Sequence, residues 1–328
     1  MHKVLWVTVA GLLALTCVAE AQVKKWVDKR GTAHYSNVRP PTRVPSQTRK
    51  STRTSVDPKA LIEELLEISG ARAHMAQIAA AAQAQGASRK REMTPEDYRQ
   101  LSQVIAESYR TGLLYETVAE KFRVRFDERR FVTVVRKLRT PLFRKITQLE
   151  VQASTPDAAR RVQQFSAKLT RQPPAESRLA LVRSVDAAAG VSALNLEVMV
   201  DTVRGITLAL ERALPPDKRL PPGQLNWILS GMLAQARTGV RDQTAAHLLY
   251  AYQSLTDEEL KEYLRFLESD HGRWFVRVSR EALSAAMRVA AERTGRGMID
   301  MLQTRGATVG ATTRATAEKS SWTKWWRR

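Results

Sequence analysis

The chain has 328 residues, of which 53 are Lys or Arg and 33 are Asp or Glu, so its formal net charge is +20. Apolar residues make up 43%, which is enough for a hydrophobic core and excludes a chain that is disordered throughout. A single Cys and five His exclude a disulfide-stabilised scaffold and a cysteine-based metal site. We therefore expect neither a metal nor another cofactor.

The first 21 residues have the pattern of a secretory signal peptide. A basic start at Lys3 precedes an apolar run over residues 4–15, and Ala-Glu-Ala at 19–21 matches the sites that signal peptidase accepts. We predict cleavage after Ala21 and a periplasmic location. The apolar run is shorter than the roughly 20 residues that a membrane span needs. No later stretch is long and apolar enough, so we predict no transmembrane span after cleavage.

Acylation at Cys17 would instead make the chain a lipoprotein. Thr16 stands where a Gly or Ala is expected before the acylated residue, so this alternative is disfavoured. Cleavage after Ala21 also removes the only thiol. A mature protein without cysteine in an oxidising compartment must be held together by its core alone.

Residues 22–41 predict a small β-hairpin module, with two alternating segments around a turn that ends in Gly. The signature residues of this module are Trp26, Asp28, Gly31, His34 and Tyr35. Followed by two prolines, they resemble the domain-of-unknown-function family 4124, whose pattern is W-x-D-x-x-G-x-x-H-Y-S. The resemblance implies a periplasmic setting and no particular activity. We expect His34 to pack on a hairpin face rather than to act chemically.

The next segment, residues 42–58, is rich in Pro, Ser and Thr and in basic residues, and it predicts a linker. From there on the signals are helical. Asp57, Thr94 and Thr155 each stand as a capping residue before a Pro, and Thr256 with Glu259 forms a capping box. Apolar residues recur at helical spacing between these caps. The fold class is therefore mainly α, a multi-helix body that follows the hairpin module.

The helical body is predicted to consist of two related halves, residues 59–151 and 152–302. Phe131, Leu138, Thr140 and Arg144 of the first half align at one constant offset with four residues of the second. Those four are Leu260, Leu267, Ser269 and Arg273. Similarity between amphipathic helices arises easily, so periodicity alone does not establish a duplication.

The stretch over residues 255–283 resembles the end of the domain-of-unknown-function family 2059. That family has a T-x-E-E-L helix, an aromatic residue and a Ser-x-x-Gly turn before a further helix. The matching residues are Thr256, Glu258, Glu259, Leu260, Phe266, Ser269 and Gly272. Leu267 and Asp270 replace the usual Tyr and Pro, and in the first half Phe143 stands where the Gly would be. The resemblance implies an all-helical periplasmic domain of unestablished biochemistry.

The positive charge is concentrated in a few segments. Residues 121–145 are strongly basic, whereas the aligned residues 256–274 are acidic. These windows are either two separate solvated faces or two surfaces that meet, within one chain or between chains. The basic window is a candidate anion-binding site with Arg129, Arg130, Arg136, Lys137 and Arg139.

The C-terminal segment, residues 303–328, predicts a flexible cationic tail. Its candidate membrane-interface residues are Trp322, Trp325, Trp326, Arg327 and Arg328. Trp favours the membrane interface, and cations near anionic lipid gain about 1 kcal/mol each. The alternative is a tail without a partner. A basic chain commonly binds nucleic acid, but the export signal argues against a physiological role of that kind.

No catalytic motif stands out, and the chain is not expected to be an enzyme. His74, His247 and His271 lie on separate segments without metal-ligand spacing, so they predict packed or solvated histidines. Glu107 before Ser108 resembles the catalytic segment of lytic transglycosylases, but the Gly-Leu-Met-Gln segment of that family is absent, so a cell-wall glycan enzyme is a remote alternative. We expect a non-catalytic periplasmic binding or scaffolding protein. Its partners would be an anionic envelope surface, including lipid or lipopolysaccharide, another envelope protein, or a second copy of the chain.

Overall fold

A computed structural model of the chain describes residues 25–27, 33–35, 57–213, 219–221 and 223–312. Two three-residue strands, β1 (Lys25–Val27) and β2 (Ala33–Tyr35), pair antiparallel, with Trp26 opposite His34. The turn with Asp28 and Gly31 lies outside the described residues, as does the predicted linker up to residue 56. The hairpin module as a folded unit therefore stays a prediction.

From residue 57 onward the described chain is almost entirely α-helical, which confirms the prediction of a mainly α fold. A short 3-10 turn, Lys90–Glu92, joins the second and third helices. In chain order the helices are α1 (Pro58–Ile68), α2 (Ala71–Ser88), α3 (Pro95–Ser108), α4 (Thr111–Val124), α5 (Glu128–Leu138), α6 (Pro141–Ala153), α7 (Pro156–Arg171), α8 (Glu176–Ala189), α9 (Val191–Ala213), α10 (Gln224–Ala251), α11 (Asp257–Glu268) and α12 (Asp270–Thr312).

The predicted helix starts are present in the structure. The side chains of Asp57, Thr94 and Thr155 each accept a hydrogen bond from a backbone N–H two or three residues later. Thr256 and Glu259 form the full capping box, in which each side chain accepts from the other residue's N–H. These bonds satisfy donors that would otherwise be unpaired at a helix N-terminus.

One continuous hydrophobic core contains residues from both predicted halves. On α5 the predicted stripe of Phe131, Val134, Val135 and Leu138 is buried. The ring of Phe131 lies 5.2 Å from that of Trp274, at the start of α12, in an edge-to-face arrangement. The two halves therefore share this main core.

Each half contains two consecutive helices joined by a glycine in the left-handed conformation, Gly70 with φ 72° and Gly190 with φ 69°. A Cβ at Gly70 would lie 2.9 Å from Val151 on α6, and one at Gly190 would lie 3.1 Å from Arg280 on α12. Val151 and Arg280 are equivalent positions at the offset that the sequence predicts. Both turns are therefore closed by a residue of the last helix of their own half.

The two halves are also packed across each other. Helix α6 of the first half contacts α10 of the second, while α12 of the second half lies along α4 and α3 of the first. This reciprocal packing and the matched glycine turns support the predicted duplication, which stays a prediction.

Helix α12 continues to Thr312, so residues 303–312 of the predicted tail are helical. Extending a formed helix avoids the cost of nucleation, and the many small residues of this segment do not end it. The rest of the tail lies outside the described residues.

Candidate functional site

Helix α5 presents cations on the side opposite its buried stripe. Asp127 caps the helix by accepting from the backbone N–H of Arg130 at 3.0 Å. Arg129 and Arg136 are seven residues apart, so they lie nearly in line and about 10 Å apart along the helix axis. Both side chains are exposed. We call these two residues the basic face of α5.

The cations on the flanks of α5 are neutralised within the chain. Lys137 donates to Glu262 Oε1 on α11 at 2.9 Å, and its ammonium lies 4.7 Å from the centre of the Phe143 ring. Arg139 pairs with Glu64 on α1. Arg130 lies 3.5 Å from its own capping residue Asp127.

A second link joins α6 to the start of α11, where Lys145 donates to Glu259 Oε1 at 2.8 Å. This bond, with that from the Thr256 backbone, lowers the pKa of Glu259. Together with the pair of Lys137 and Glu262, it shows that the basic and acidic windows meet within one chain.

The basic face itself is left without such partners. Within the part of the chain that the structure describes, no carboxylate forms an ion pair with Arg129 or Arg136. The same holds for Lys121 and Arg144, which are also exposed. Of the five predicted anion-binding residues, two thus have no ion pair among the described residues, and the other three pair with carboxylates of the same chain.

The other predicted site residues lie elsewhere or outside the described chain. Trp26, His34 and Tyr35 are in the two short strands. The Trp and Arg residues predicted as a membrane anchor, Trp322, Trp325, Trp326, Arg327 and Arg328, lie outside the described residues. Their role stays a prediction.

A polar centre, which consists of Glu150, Tyr252 and Tyr263, lies inside the fold. The hydroxyl of Tyr252 donates to Glu150 Oε1 at 2.6 Å, and that of Tyr263 donates to the same oxygen at 3.1 Å. Burial raises the pKa of Glu150, and the two hydrogen bonds lower it in part. Burial and the nearby carboxylate raise the pKa of both tyrosines. The polar centre therefore joins α6 to the end of α10 and to α11.

Two histidines lie close together beside this region. Burial lowers the pKa of His74 on α2, against the hydrogen bond with the Gln77 side chain, which raises it. Burial also lowers the pKa of His247 on α10, and the charge of His74 lowers it further. Gln77 donates to the carbonyl of Val151, next to Glu150, at 2.9 Å. The sequence places the two histidines on separate segments and does not show that they lie close together.

One sequence signal could have pointed to the polar centre. Phe143, Ile146 and Ala153 are the buried positions of α6, and Glu150 continues their helical spacing. A carboxylate on the apolar stripe of a helix needs hydrogen-bond donors once it is buried. Which residues supply those donors depends on the packing of α10 and α11, and a single sequence does not show that packing.

The predicted enzyme alternative depended on Glu107. Its carboxylate is exposed on α3 and accepts a hydrogen bond from Gln103 at 2.9 Å. An open groove of about 450 Å³ lies between α2 and α3, but half of its lining residues are alanine and Glu107 is not among them. Over the described ranges, no group of three or more His, Cys, Asp or Glu could hold a metal ion.

No single helix of the described residues is long and apolar enough to cross a bilayer. The helix pair Glu176–Ala189 and Val191–Ala209, which is bent by 50°, is long and apolar enough by length and composition alone.

Comparison with known families finds a match at the N-terminus. Residues 10–61 match the family described as Domain of unknown function (DUF4124), which confirms the resemblance of the N-terminal module. The match also includes part of the predicted signal peptide, the linker and the first residues of α1. No curated protein and no solved structure matches the chain. The resemblance of the helical body to family 2059 stays a prediction.

Proposed function

We propose that the chain is an exported, non-catalytic binding protein of the bacterial envelope, and that the basic face of α5 engages an anionic lipid surface. The signal-peptide pattern of residues 1–21 supports export. The family match at residues 10–61 supports a module that the sequence resemblance associates with the envelope. The helical body then supplies the binding surface.

The free cations of α5 are the observation that carries this proposal. Neighbouring Lys137, Arg139 and Arg130 pair with carboxylates, whereas Arg129 and Arg136 remain exposed in one line. Among the described residues no carboxylate forms an ion pair with these two exposed cations, so their charge is available to attract an external anion. Lipid phosphates or lipopolysaccharide phosphates carry the complementary charge.

The C-terminal tail would add a second contact to the same surface. Its three Trp residues suit the membrane interface, and its Lys and Arg residues add attraction to anionic lipid. Two weak contacts on one chain reinforce each other, since the second binds at the effective concentration that the first creates.

Flotation with phosphatidylglycerol-containing vesicles tests the proposal. At about 1 kcal/mol for each cation, the double variant Arg129→Ala/Arg136→Ala should bind about tenfold to thirtyfold more weakly than the parent chain. Deletion of residues 319–328 should weaken binding independently. Binding of the parent should fall steeply as salt rises, because the attraction is electrostatic.

The matched control is Arg183→Ala/Arg288→Ala, which removes two exposed cations on α8 and α12 and so keeps the same net charge as the test variant. If this control loses as much binding as the α5 variant, the attraction comes from net charge and the proposed surface is wrong. Equal binding of the parent and the α5 variant would refute it as well.

A further inference from the structure

The N-terminal half of α10 has an outer face that no described residue covers. Its inner face packs Leu229 and Met232 against Met199, Val200 and Val203 of α9. On the opposite side Trp227 is 76% exposed. This is by far the largest exposed fraction among the described aromatic side chains. Residues 224–236 of this helix carry no charge, in a chain of which 26% is charged.

Gly231 lies on the same outer face, and no described residue packs closely against it. A Cβ at this position would meet nothing within 4 Å, and its backbone is regular helix. In contrast, Gly205 and Gly295 allow α9 and α12 to approach closely, with Ala291 and Ala209 within about 3 Å of an added Cβ. A helical glycine costs about 0.5–1 kcal/mol relative to alanine. Without a Cβ, Gly231 leaves room on this exposed face for another helix to approach closely.

The residues of this outer face are arranged symmetrically about Ala234. Trp227 and Arg241 lie seven residues before and after it, each within about 20° of its direction around the helix. Ser230 and Thr238 lie four residues away on either side. All five side chains are exposed, and Arg241 forms no ion pair with another described residue.

We infer that this outer face binds the same face of a second copy, with the two α10 helices antiparallel and the twofold axis at Ala234. In a twofold interface residue i of one copy contacts residue j of the other, and j contacts i. With the axis at Ala234, Trp227 of one copy therefore meets Arg241 of the other, once at each end of the interface. A guanidinium over an indole ring is a favourable cation–π contact. Ser230 then faces Thr238, and the small residues at the centre let the helices approach to the 8–10 Å typical of packed helices.

A single pair of helices buries less area than a standard interface of about 1,600 Å², so we expect a weak, transient dimer. This inference is independent of the proposed function, because the basic face of α5 takes no part in it. It also differs from association through the basic and acidic windows, whose charges pair within the chain.

Site-directed disulfide crosslinking of the full chain tests the pairing. With Cys17→Ser the chain has no cysteine, so each new thiol is unique. Ala234→Cys should crosslink to itself rapidly, because this position lies on the twofold axis. Ser230→Cys and Thr238→Cys should each crosslink poorly alone and rapidly when the two proteins are mixed, since the antiparallel register places one opposite the other.

The control is Leu208→Cys, which is exposed on α9 away from this face. If Ala234→Cys crosslinks no faster than Leu208→Cys, there is no dimer through this face. If Ser230→Cys crosslinks as fast alone as in the mixture, the antiparallel register is wrong.

Sedimentation equilibrium gives a second readout that needs no new thiol. Trp227→Ala should weaken self-association at least tenfold, whereas Leu208→Ala, which truncates another exposed apolar side chain, should leave it unchanged. Far-ultraviolet circular dichroism of both variants checks that the fold is kept. A parent chain that stays monomeric at several hundred micromolar overturns the inference.

Discussion

The helix pairs α5–α6 and α11–α12 align in sequence at the one constant offset of the predicted duplication, and they differ in the charge that each carries. Asp127 and Thr256 cap α5 and α11 in the same way, each accepting from the N–H three residues on. Phe131 and Leu260 are equivalent, and both are fully buried. At the third residue after the cap, however, the first pair has Arg130 and the second has Glu259.

The two helix pairs thus have the same caps and buried positions, whereas the charge of their exposed residues has the opposite sign. Lys137 and Lys145 of the first pair bind Glu262 and Glu259 of the second, so much of the opposite charge is used to hold the halves together. Only cations that face away from α11, above all Arg129, remain for an external partner. Opposite charge on equivalent helices therefore serves the internal contact first and leaves a smaller external site.

Substitution of Gly272 tests the largest difference between the pairs α5–α6 and α11–α12, because Phe143 of α6 aligns with this glycine of α12. A Cβ at Gly272 would lie 1.9 Å from the carbonyl oxygen of Phe266, which is backbone and cannot rotate away. We expect Gly272→Ala to lower the free energy of unfolding by about 3 kcal/mol, since α12 must shift away from α11. Urea unfolding followed by circular dichroism measures this loss.

The control for this variant is Gly239→Ala. Gly239 is also helical, but a Cβ there would meet nothing within 4 Å. The same change should then stabilise the chain by up to about 1 kcal/mol, because alanine favours the helix. A loss at Gly272 no larger than the effect at Gly239 would mean that the α11–α12 turn does not require a glycine.

Much of the fold could be predicted from the sequence, because local rules determine it. The caps at Thr94 and Thr256 mark helix starts whatever the tertiary context, and the stripe from Phe131 to Leu138 marks a buried face. The end of the last helix could not be predicted from such local rules. Residues 303–312 lack a strong helical pattern, yet they continue α12, which packs along α3 and α4.

The candidate site was predictable only in part, since ion pairs depend on which helices become neighbours. The sequence shows that Arg136 and Lys137 are basic, but not that α11 brings Glu262 to Lys137 alone. The polar centre was missed for the same reason. Tyr252 and Tyr263 come from two helices, and they meet Glu150 only when the halves pack together.

Glu150 provides a second test, because the equivalent position of α12 is the neutral Ser279. Burial raises the pKa of Glu150 above 4.5, so the folded state favours the protonated carboxyl. Its contribution to stability is then full below pH 4.5 and is lost as the pH rises through the raised pKa. Glu150→Gln does not titrate, so its stability relative to the parent should increase over that range. Urea unfolding between pH 4 and 8 measures the difference.

His74 and His247 contribute to the pH dependence of stability in both the parent and Glu150→Gln. Their contribution therefore cancels in the difference between the two. Glu107→Gln is the matched control, because it removes an exposed carboxylate. Its stability relative to the parent at each pH gives the baseline for the loss of one exposed carboxylate. A difference between Glu150→Gln and the parent that is constant from pH 4 to 8 would show that the polar centre does not titrate in this range.

The pair of Lys137 and Glu262 gives the smallest expected effect, and it tests whether the opposite charges bind the two helix pairs to each other. Both side chains are partly exposed, so the pair should be worth about 0.5 kcal/mol. Lys137→Glu and Glu262→Lys should each destabilise the chain, whereas the double exchange should recover most of the loss. The recovery should be incomplete, because the exchange removes the contact of Lys137 with the Phe143 ring.

A double-mutant cycle by urea unfolding at low and at 1 M salt gives the coupling energy between Lys137 and Glu262. Lys121→Glu, which reverses an exposed cation without an internal partner, should show no coupling with Glu262→Lys. The exchanged chain keeps Arg129 and Arg136, so its binding to anionic vesicles should match that of the parent. If the exchange recovers stability but abolishes vesicle binding, Lys137 belongs to the external site, and the division between internal and external cations is wrong.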